Sequence, residues 1–234
     1  MSQARFLVID TETTGTNPLE DTIVEVSAMW VVGHEITPAF SSLVNPQRPI
    51  PPQSSGVHHI TDQMVKDAPT LDKLLPDLHA LTDQAHVLVA HNAAFDRSFL
   101  PDFRPPWLCT YRLARHLWPD APDHKNQTLR YWLGLELEAD AHSAIGDTLV
   151  TAHVLLRLLQ TYREQGYRAT IKTWIDYANS PIHVTNMPFG KYVGVPISDV
   201  PMDYLQWMLK NMHDMDSDLR GSVEKTIEQR LQPI

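Results

Sequence analysis

The sequence predicts an α/β protein in which helices cover both faces of a mixed sheet. Three β-rich segments follow one another near the start of the chain, at residues 6–9, 22–32 and 35–44. Helical and strand patterns then alternate through the middle of the chain. Sequential strands followed by alternating helices and strands are typical of a mixed sheet with helices on its faces.

The individual elements follow from local pattern. Phe6, Leu7, Val8 and Ile9 form an apolar run without alternation, as expected of a central strand that is covered on both faces. The pair Gly33-His34 predicts a hairpin turn between the next two strands, and the prolines from Pro46 onward predict a connection over the surface. The remaining predicted elements are helices at residues 71–81, 93–100, 111–117, 129–133 and 144–162 and strands at residues 87–90 and 107–109.

The character of the sequence changes after Gly166. The following stretch is polar and weakly patterned, which predicts a linker with one short helix at most. Residues 187–194 contain two glycines and a proline, a composition typical of a tight turn. The predicted organisation is one domain at residues 1–168, a linker at 169–186 and a small C-terminal module at 187–234 with helices at 202–211 and 218–231.

Composition describes an ordinary globular chain and restricts its partners. Of the 234 residues, 43% are hydrophobic and 20% are charged. No apolar stretch approaches the roughly 18 residues of a membrane helix, so we expect no membrane partner. Cys109 is the only cysteine, which excludes an intrachain disulfide and suits a reducing cytoplasm. Because the formal charge is −9, a nucleic-acid substrate would require bound cations or local basic patches.

The first of three acidic segments is Asp10-Thr11-Glu12, at the end of the buried strand. Side chains two residues apart on a strand face the same way, so the two carboxylates lie together. Two anions in that position repel each other and lose hydration unless a cation lies between them. The alternative is a pair of exposed acids where the strand ends, and a D-x-E triplet alone is common.

The second segment is His91-Asn92-Ala93-Ala94-Phe95-Asp96, at the start of a predicted helix. Phe95 fits a stripe that faces the core, and Asp96 lies beside that stripe on the first turn. A favourable interaction with the helix dipole is the alternative explanation for Asp96. A plain helix cap is the alternative explanation for Asn92.

The third segment, residues 142–147, opens the longest predicted helix. Asp147 shares a helix face with Thr151, Val154 and Leu158, so it points toward the sheet, where an ionised carboxylate requires a partner. His142 lies just before the helix or in its first turn. An ordinary capping or surface histidine is the alternative interpretation of His142.

Together the three segments predict one site. Four acids at a strand end and two helix starts can converge, and clustered carboxylates that repel one another at neutral pH serve no structural need. Oxygen ligands suit magnesium or manganese, and the sequence offers no cysteine–histidine cluster for zinc. Two such ions can stabilise the attacking and leaving oxygens of a phosphodiester displacement. The sequence therefore predicts a carboxylate site for divalent metal ions that is suited to such a displacement.

The three motifs D-x-E-T-T-G, H-N-A-x-F-D and H-x4-D, in this order, resemble those of the DEDDh exonucleases of the proofreading and ribonuclease T superfamily. The resemblance covers residues 5–165 and implies a ribonuclease H-like fold. The stretch Val57-His58-His59-Ile60-Thr61 is similar to the V-H-G-I-T element of that family, with His59 in place of the glycine. Residues 189–194 and 204–207 are similar to the C-terminal part of a bacterial DNA exonuclease of the family.

This resemblance implies a 3′–5′ exonuclease that acts on DNA 3′ ends with two Mg²⁺ ions, for which Mn²⁺ can substitute. Asp10, Glu12 and Asp147 would hold one ion, and Asp10 would bridge to the second. Asp96 would act mainly through metal-bound water, and His142 would be the general base that deprotonates the attacking water. The implied contacts to the terminal nucleotide are Thr13, Thr14, His58, Asn92 and Phe95.

Several alternatives remain open at this point. An RNA-trimming exonuclease of the same superfamily is the main competitor, because the same metal pair cleaves both polymers. A non-catalytic nucleic-acid-binding module is disfavoured because all five catalytic positions are present. The sequence leaves open whether the enzyme prefers single strands or duplex ends. It also leaves open the oligomeric state, for which a homodimer is one possibility. No small-molecule cofactor other than metal is expected. The basic candidates for substrate contact, each with a solvated surface as its alternative, are Arg97, Arg104, Arg112, Arg115, Lys125 and Arg130.

Overall fold

The computed structural model of the protein describes residues 4–138 and 143–231. The chain divides into two compact units, Met1–Ala178 and Asn179–Ile234. Within the described ranges, no helix combines the length and the apolar character that a membrane crossing requires.

A five-stranded mixed sheet forms the centre of the first unit. Its strands are β1 (Arg5–Thr13), β2 (Ile23–Val32), β3 (Glu35–Leu43), β4 (Val87–Ala90) and β5 (Trp107–Cys109). Their order across the sheet is β3-β2-β1-β4-β5. β2 pairs antiparallel with β1 and β3, whereas β4 runs parallel to β1 and β5. The predicted mixed sheet is therefore confirmed.

Helices pack on both faces of this sheet. They are α1 (Pro52–His58), α2 (Asp62–Val65), α3 (Leu71–Thr82), α4 (Ala93–Phe99), α5 (Thr110–Leu117), α6 (Asn126–Trp132), α7 (Ala144–Glu164) and α8 (Ile171–Asn179). Phe6 and Val8 of β1 belong to a core cluster that includes side chains from α5, α6, α7 and α8. Leu7 and Ile9 belong to a second cluster that includes side chains from α3. Successive strand residues thus bury opposite faces, which explains the unbroken apolar run in β1.

Most predicted elements are confirmed within one or two residues, but β1 extends to Thr13, four residues beyond the predicted run at residues 6–9. Three further predictions need correction. Helix α6 begins at Asn126, three residues before the predicted start at residue 129. The predicted surface connection contains the short helices α1 and α2, the first of which begins with proline at its first turn. Such a start suits proline because its missing N–H has no partner in a first helical turn.

The predicted linker at residues 169–186 is the third correction. Helix α8 occupies half of it and buries Trp174 and Ala178 in the core of the first unit. The Trp174 ring lies 5.5 Å from the Phe6 ring of β1. The segment is otherwise polar, but four apolar residues at helical spacing attach it to the core: Ile171, Trp174, Ile175 and Ala178. The first unit therefore extends to Ala178 rather than to residue 168.

The second unit has a hydrophobic core of its own. Two helices, α9 (Met202–Asn211) and α10 (Ser217–Leu231), follow short 3₁₀ turns at Gly190–Tyr192 and Ile197–Asp199. The predicted turn region is closed by one β-bridge between Asn186 and Pro196. The buried apolar residues of this core are Met187, Ile197, Val200, Leu205, Met208, Met215, Leu219 and Val223.

The histidine that replaces a glycine in the V-H-G-I-T element keeps a glycine-like backbone. His59 closes α1 with φ 61° and ψ 10°, in the left-handed region, and its N–H donates to the Ser55 carbonyl. Its side chain is exposed. The departure from the motif therefore leaves the local backbone shape intact, at the conformational cost that a Cβ atom carries in this region.

That cost predicts opposite effects of two substitutions. His59→Gly should raise the free energy of unfolding by up to about 1 kcal/mol, because strain is relieved and little packing is lost. His59→Val should lower it by about 1–2 kcal/mol, since β-branched residues tolerate this region poorly. Chemical denaturation measures both. Glycine at exposed Ala80, inside α3, is the control and should destabilise by about 1 kcal/mol; equal stabilities of the glycine and valine variants would contradict the prediction.

Candidate active site

Three carboxylates meet at the end of β1. Asp10, Glu12 and Asp147 each offer one oxygen, and these atoms all lie within 4.8 Å of one another. Asp10 and Glu12 are two residues apart on β1, and Asp147 lies in the first turn of α7. The prediction that the first and third acidic segments lie close together in the fold is therefore confirmed.

The start of α7 is fixed to the sheet by an acid that sequence reasoning missed. Glu25 of β2 lies opposite Glu12 in the strand register. Its Oε2 accepts a hydrogen bond of 2.8 Å from the N–H of Ala144, the first residue of α7. A carboxylate at a helix N-terminus satisfies an otherwise unpaired N–H and interacts well with the helix dipole. Glu25 therefore helps to place Asp147 beside β1.

Asp147 is also held by two amide side chains of α6. Gln127 donates a 2.7 Å hydrogen bond to Asp147 Oδ1, and Asn126 donates to the same oxygen at 3.2 Å. Asn126 also donates to the Asp147 carbonyl at 3.1 Å. These contacts were missed because the helix that carries both amides begins earlier than the apolar pattern indicated.

Asp96 of α4 is buried and attached directly to β1. Its Oδ1 accepts hydrogen bonds from both the N–H and the hydroxyl of Thr11, at 3.0 and 2.9 Å. The Asp96 side chain therefore points inward. Its interaction with the dipole of α4, the alternative explanation, does not by itself explain the presence of this acid. It lines the same cavity as the three clustered acids but does not belong to the trio of close oxygens.

Burial and mutual repulsion among the carboxylates dominate the electrostatics of this cluster. Burial, followed by the charges of Asp96 and Asp147, holds the pKa of Asp10 well above its ordinary value. Burial and the charge of Asp147 raise the pKa of Glu12 to about 8. Burial raises the pKa of Asp96 to about 7 against the lowering effect of its bonds to Thr11. Each shift indicates that the folded chain disfavours the fully ionised cluster.

A cavity of about 490 Å³ opens onto these acids. Asn92 and Phe95, two of the predicted substrate contacts, line it, and their contacts with a nucleotide stay predictions. Asn92 has φ 71°, and its side chain makes no capping hydrogen bond to the described residues of α4, so the interpretation as a plain cap is wrong. Lys125 is the one member of the six predicted basic candidates that lines this cavity in the described part of the chain.

The other three predicted substrate residues are buried and do not belong to the cavity lining. The Thr13 hydroxyl donates to the Gly15 carbonyl at 2.6 Å, and the Thr14 hydroxyl donates to Asp21 at 3.0 Å. His58 Nδ1 accepts from the Ile60 N–H at 3.0 Å, and burial lowers its pKa. Their contacts with a nucleotide stay predictions. His142 lies outside the described residues.

One cavity residue, His91, was in a recognised motif but received no predicted role. Its ring nitrogens lie 3.0 Å from the Thr110 hydroxyl and 2.8 Å from the His124 carbonyl. Burial lowers the pKa of His91 to about 4, so it is neutral near pH 7. His91 thereby ties the end of β4 to the segment just before Lys125 and α6.

Comparison with known proteins agrees with this site. A sequence profile of the family described as Exonuclease matches residues 7–155, which contain all three acidic segments. The chain belongs to this exonuclease family, and it is a 3′–5′ exonuclease of the DEDDh superfamily. The predicted family, fold and enzyme class are confirmed. A second profile, described as "Putative quorum-sensing-regulated virulence factor", matches residues 180–214 of the second unit.

Individual relatives resemble different extents of the chain. Exodeoxyribonuclease 10 of Escherichia coli (strain K12) is 35% identical over 94% of this chain and 98% of its own length. A DNA polymerase III subunit epsilon-like protein of Rhodobacter capsulatus is 39% identical over 71% of this chain and 25% of its own length. The solved structure of Exonuclease X in complex with 5′ overhanging duplex DNA is 33% identical, with a TM-score of 0.64 over 74% of this chain and 99% of that chain.

The raised pKa values predict how the metal-free protein responds to pH. Glu12 has a folded pKa of about 8 against an ordinary 4.5. When a carboxyl group has a higher pKa in the folded chain than in the unfolded chain, its protonated form stabilises the fold. This stabilisation is complete at pH values below the pKa of the unfolded chain and is lost as the pH rises through the pKa of the folded chain. In chelator, the thermal midpoint should therefore fall between about pH 5 and pH 8, and Glu12→Gln should flatten that decline. Glu35→Gln, at an exposed position of β3, is the matched control; a decline as steep in Glu12→Gln as in wild type would contradict the prediction.

Proposed function

We propose that this exonuclease is a metal-dependent 3′–5′ exodeoxyribonuclease, which hydrolyses phosphodiester bonds at DNA 3′ ends in DNA repair or end processing. The observation that carries the proposal is the cluster of Asp10, Glu12 and Asp147, in which one carboxylate oxygen of each residue lies within 4.8 Å of the other two. Clustered carboxylates repel one another when no cation is bound. Cations held between them would relieve this repulsion and would also attract the negatively charged phosphodiester.

The donors present fit magnesium or manganese. All of the clustered atoms are carboxylate oxygens, which hard divalent cations prefer, and the described residues add no thiolate or imidazole to the trio. Asp10, Glu12 and Asp147 would hold one ion, and Asp10, with Asp96 acting through water, would hold the second. Bound divalent cations supply positive charge for the attacking and leaving oxygens of a phosphodiester displacement.

The side chains of the chain would do the remaining work. His142 would take the proton from the attacking water, a role suited to a group with an ordinary pKa of about 6.5. Asn92 and Phe95, which line the cavity, would border the terminal sugar and base. Thr13 and Thr14 would contact the terminal nucleotide through their backbone, because their hydroxyls are already engaged within the chain. His58 would act behind them as a positioning residue.

Two relatives favour DNA over RNA as the substrate. Exodeoxyribonuclease 10 matches nearly the whole chain, including the second unit, and the name states a DNA-degrading activity for that protein. Exonuclease X was solved with duplex DNA. An RNA-trimming enzyme is the alternative, because the acids at the site can serve either polymer.

A side-by-side digestion decides between the two polymers. We expect 3′-labelled DNA strands to lose label at least about 10-fold faster than RNA strands of the same sequence, in magnesium and at equal concentrations; this threshold corresponds to about 1.4 kcal/mol of barrier difference. Asp10→Asn protein, purified in parallel, controls for contaminating nucleases. Faster loss of label from RNA than from DNA would contradict the proposal and would identify RNA as the preferred substrate.

Metal removal is a separate prediction. Chelation should stop turnover, and added Mg²⁺ or Mn²⁺ should restore it, because the clustered carboxylates cannot themselves stabilise a developing negative charge. Asp10→Asn should lower turnover by roughly 10³-fold or more, since metal-ion stabilisation contributes several kcal/mol. Calorimetry should show loss of cation binding in the same variant. Full activity after exhaustive chelation would rule out the metal-dependent reaction.

The proposed base has a different signature. His142→Ala should bind Mg²⁺ as the wild type does, since magnesium prefers oxygen ligands, and should slow turnover by roughly 10²–10⁴-fold. The wild-type rate should rise with pH through the titration of one group, and this limb should flatten or shift in the variant. Rates are measured under single-turnover conditions. An unchanged pH profile would remove His142 from the role of base.

A further inference from the structure

Three ring-bearing side chains of the second unit form a connected surface, which we call the aromatic platform: Tyr192, Tyr204 and Trp207. The Tyr192 and Tyr204 rings lie 4.8 Å apart, edge to face. The Tyr204 and Trp207 rings lie 5.7 Å apart at 28°, in a stacked arrangement. At one end of the platform, the Lys191 ammonium lies 5.1 Å from the centre of the Tyr192 ring.

The platform lies at the border between the core of the second unit and its surface. Tyr192 and Tyr204 are half-buried and pack against that core. Leu205 and Met208, from the same helix α9, are completely buried, whereas Trp207 is 51% exposed. Phe189, next to the turn that carries Lys191 and Tyr192, is also exposed. A lone exposed apolar residue needs no explanation, but the exposed Trp207 ring continues the partly exposed rings of Tyr204 and Tyr192, and a contiguous set of this kind marks an interaction site.

The backbone holds the platform in a defined shape. Gly190 has φ +76°, and a Cβ atom at this position would lie 3.1 Å from the Tyr204 hydroxyl. The turn therefore packs directly against Tyr204, and only glycine suits it. At the other end, Asn211 donates a 2.7 Å hydrogen bond to the Trp207 carbonyl in the last turn of α9. Rings that are ordered before binding lose little entropy when a ligand stacks on them.

We propose that the aromatic platform binds unpaired bases of the nucleic-acid strand whose 3′ end the first unit degrades. This inference rests on the proposed function. Every base offers a π face to an exposed ring, so stacking tolerates any sequence, as an exonuclease requires. The faces of bases inside a duplex are covered by their neighbours, which makes the expected ligand a single strand.

The charges beside the platform suit the phosphates of such a strand. Lys191 lies at the Tyr192 end, and Lys210 follows Trp207 by three residues, so both belong to one helix face. Both side chains are exposed. Asp203, at the start of α9, keeps its negative charge, although its Oδ1 accepts from the N–H of Tyr204 at 2.9 Å, so two positive charges stand against one negative charge among these three residues. The local surface is thus more favourable to an anion than the net charge of −9 for the whole chain indicates.

The test uses the full chain in chelator, so that the strand is bound but not degraded. Fluorescence anisotropy measures the affinity for 5′-labelled oligo-dT and oligo-U strands of about 30 nucleotides, longer than the span of a typical single-strand site. Trp207→Ala should weaken binding roughly 5- to 100-fold, the equivalent of about 1–3 kcal/mol per stacked base. Trp207→Phe should retain most of the affinity. Trp132→Ala, at an exposed tryptophan of the first unit, is the matched control and should bind as the wild type does.

Salt dependence separates stacking from charge. Lys191→Ala should reduce the slope of log affinity against log salt concentration by about 0.7, the value for one phosphate contact on a single strand. Trp207→Ala should leave that slope unchanged. Lys225→Ala, an exposed lysine of α10, is the matched control for the loss of one positive charge. A slope that changes equally in Lys191→Ala and Lys225→Ala would remove Lys191 from the site.

The proposal and the proposed function fail in different ways. Trp207→Ala protein that is folded by circular dichroism and binds both long strands as tightly as the wild type would overturn the proposal that the platform binds bases. Turnover of a DNA substrate of about four nucleotides, measured with magnesium, reports on the nuclease itself. If the wild type does not degrade this DNA while Trp207→Ala still weakens strand binding, the proposed function fails and the platform stands.

Discussion

Electrostatic repulsion among Asp10, Glu12 and Asp147 is the force that the surrounding scaffold has to overcome. Like charges at this separation in a partly buried cavity repel far more strongly than they would in water. A flexible segment would relieve the repulsion by moving away. β1 cannot, because its two faces are buried under separate core clusters. The first turn of α7 is held in turn by Glu25, Asn126 and Gln127.

The described hydrogen bonds that hold these acids come from neutral groups. Thr11 binds Asp96 through its hydroxyl and backbone N–H, and Asn126 and Gln127 bind Asp147 through their amides. Neutral donors orient a carboxylate without cancelling its charge, so the charge stays available for a cation. Arginine or lysine in the same places would stabilise the metal-free fold more strongly and would compete with the metal.

The sequence predicted the parts of the molecule that depend on local pattern. β1, β4 and α7 were found because their apolar residues follow strand or helix periodicity. Asp10 and Glu12 were found because they follow the apolar run of β1, and Asp147 was found because it lies on the core-facing side of α7 at the start of that helix. Glu25 was missed because its role depends on strand register, which pairs it with Glu12 and is not visible in either strand alone. The attachment of α8 was missed because the segment is polar on average, although Trp174 is deeply buried.

The two halves of the metal cluster come from opposite ends of the first unit's sequence. β1 is its first strand, and α7 is nearly its last helix. The cluster therefore cannot exist in a partly folded chain that lacks either element, and its assembly requires long-range contacts that form slowly. A cation bound there, as proposed, would select the completely folded chain over every intermediate and would add its binding free energy to the native state alone. With a cation bound as proposed, metal concentration would set the free energy of unfolding of this chain independently of whether any substrate is present.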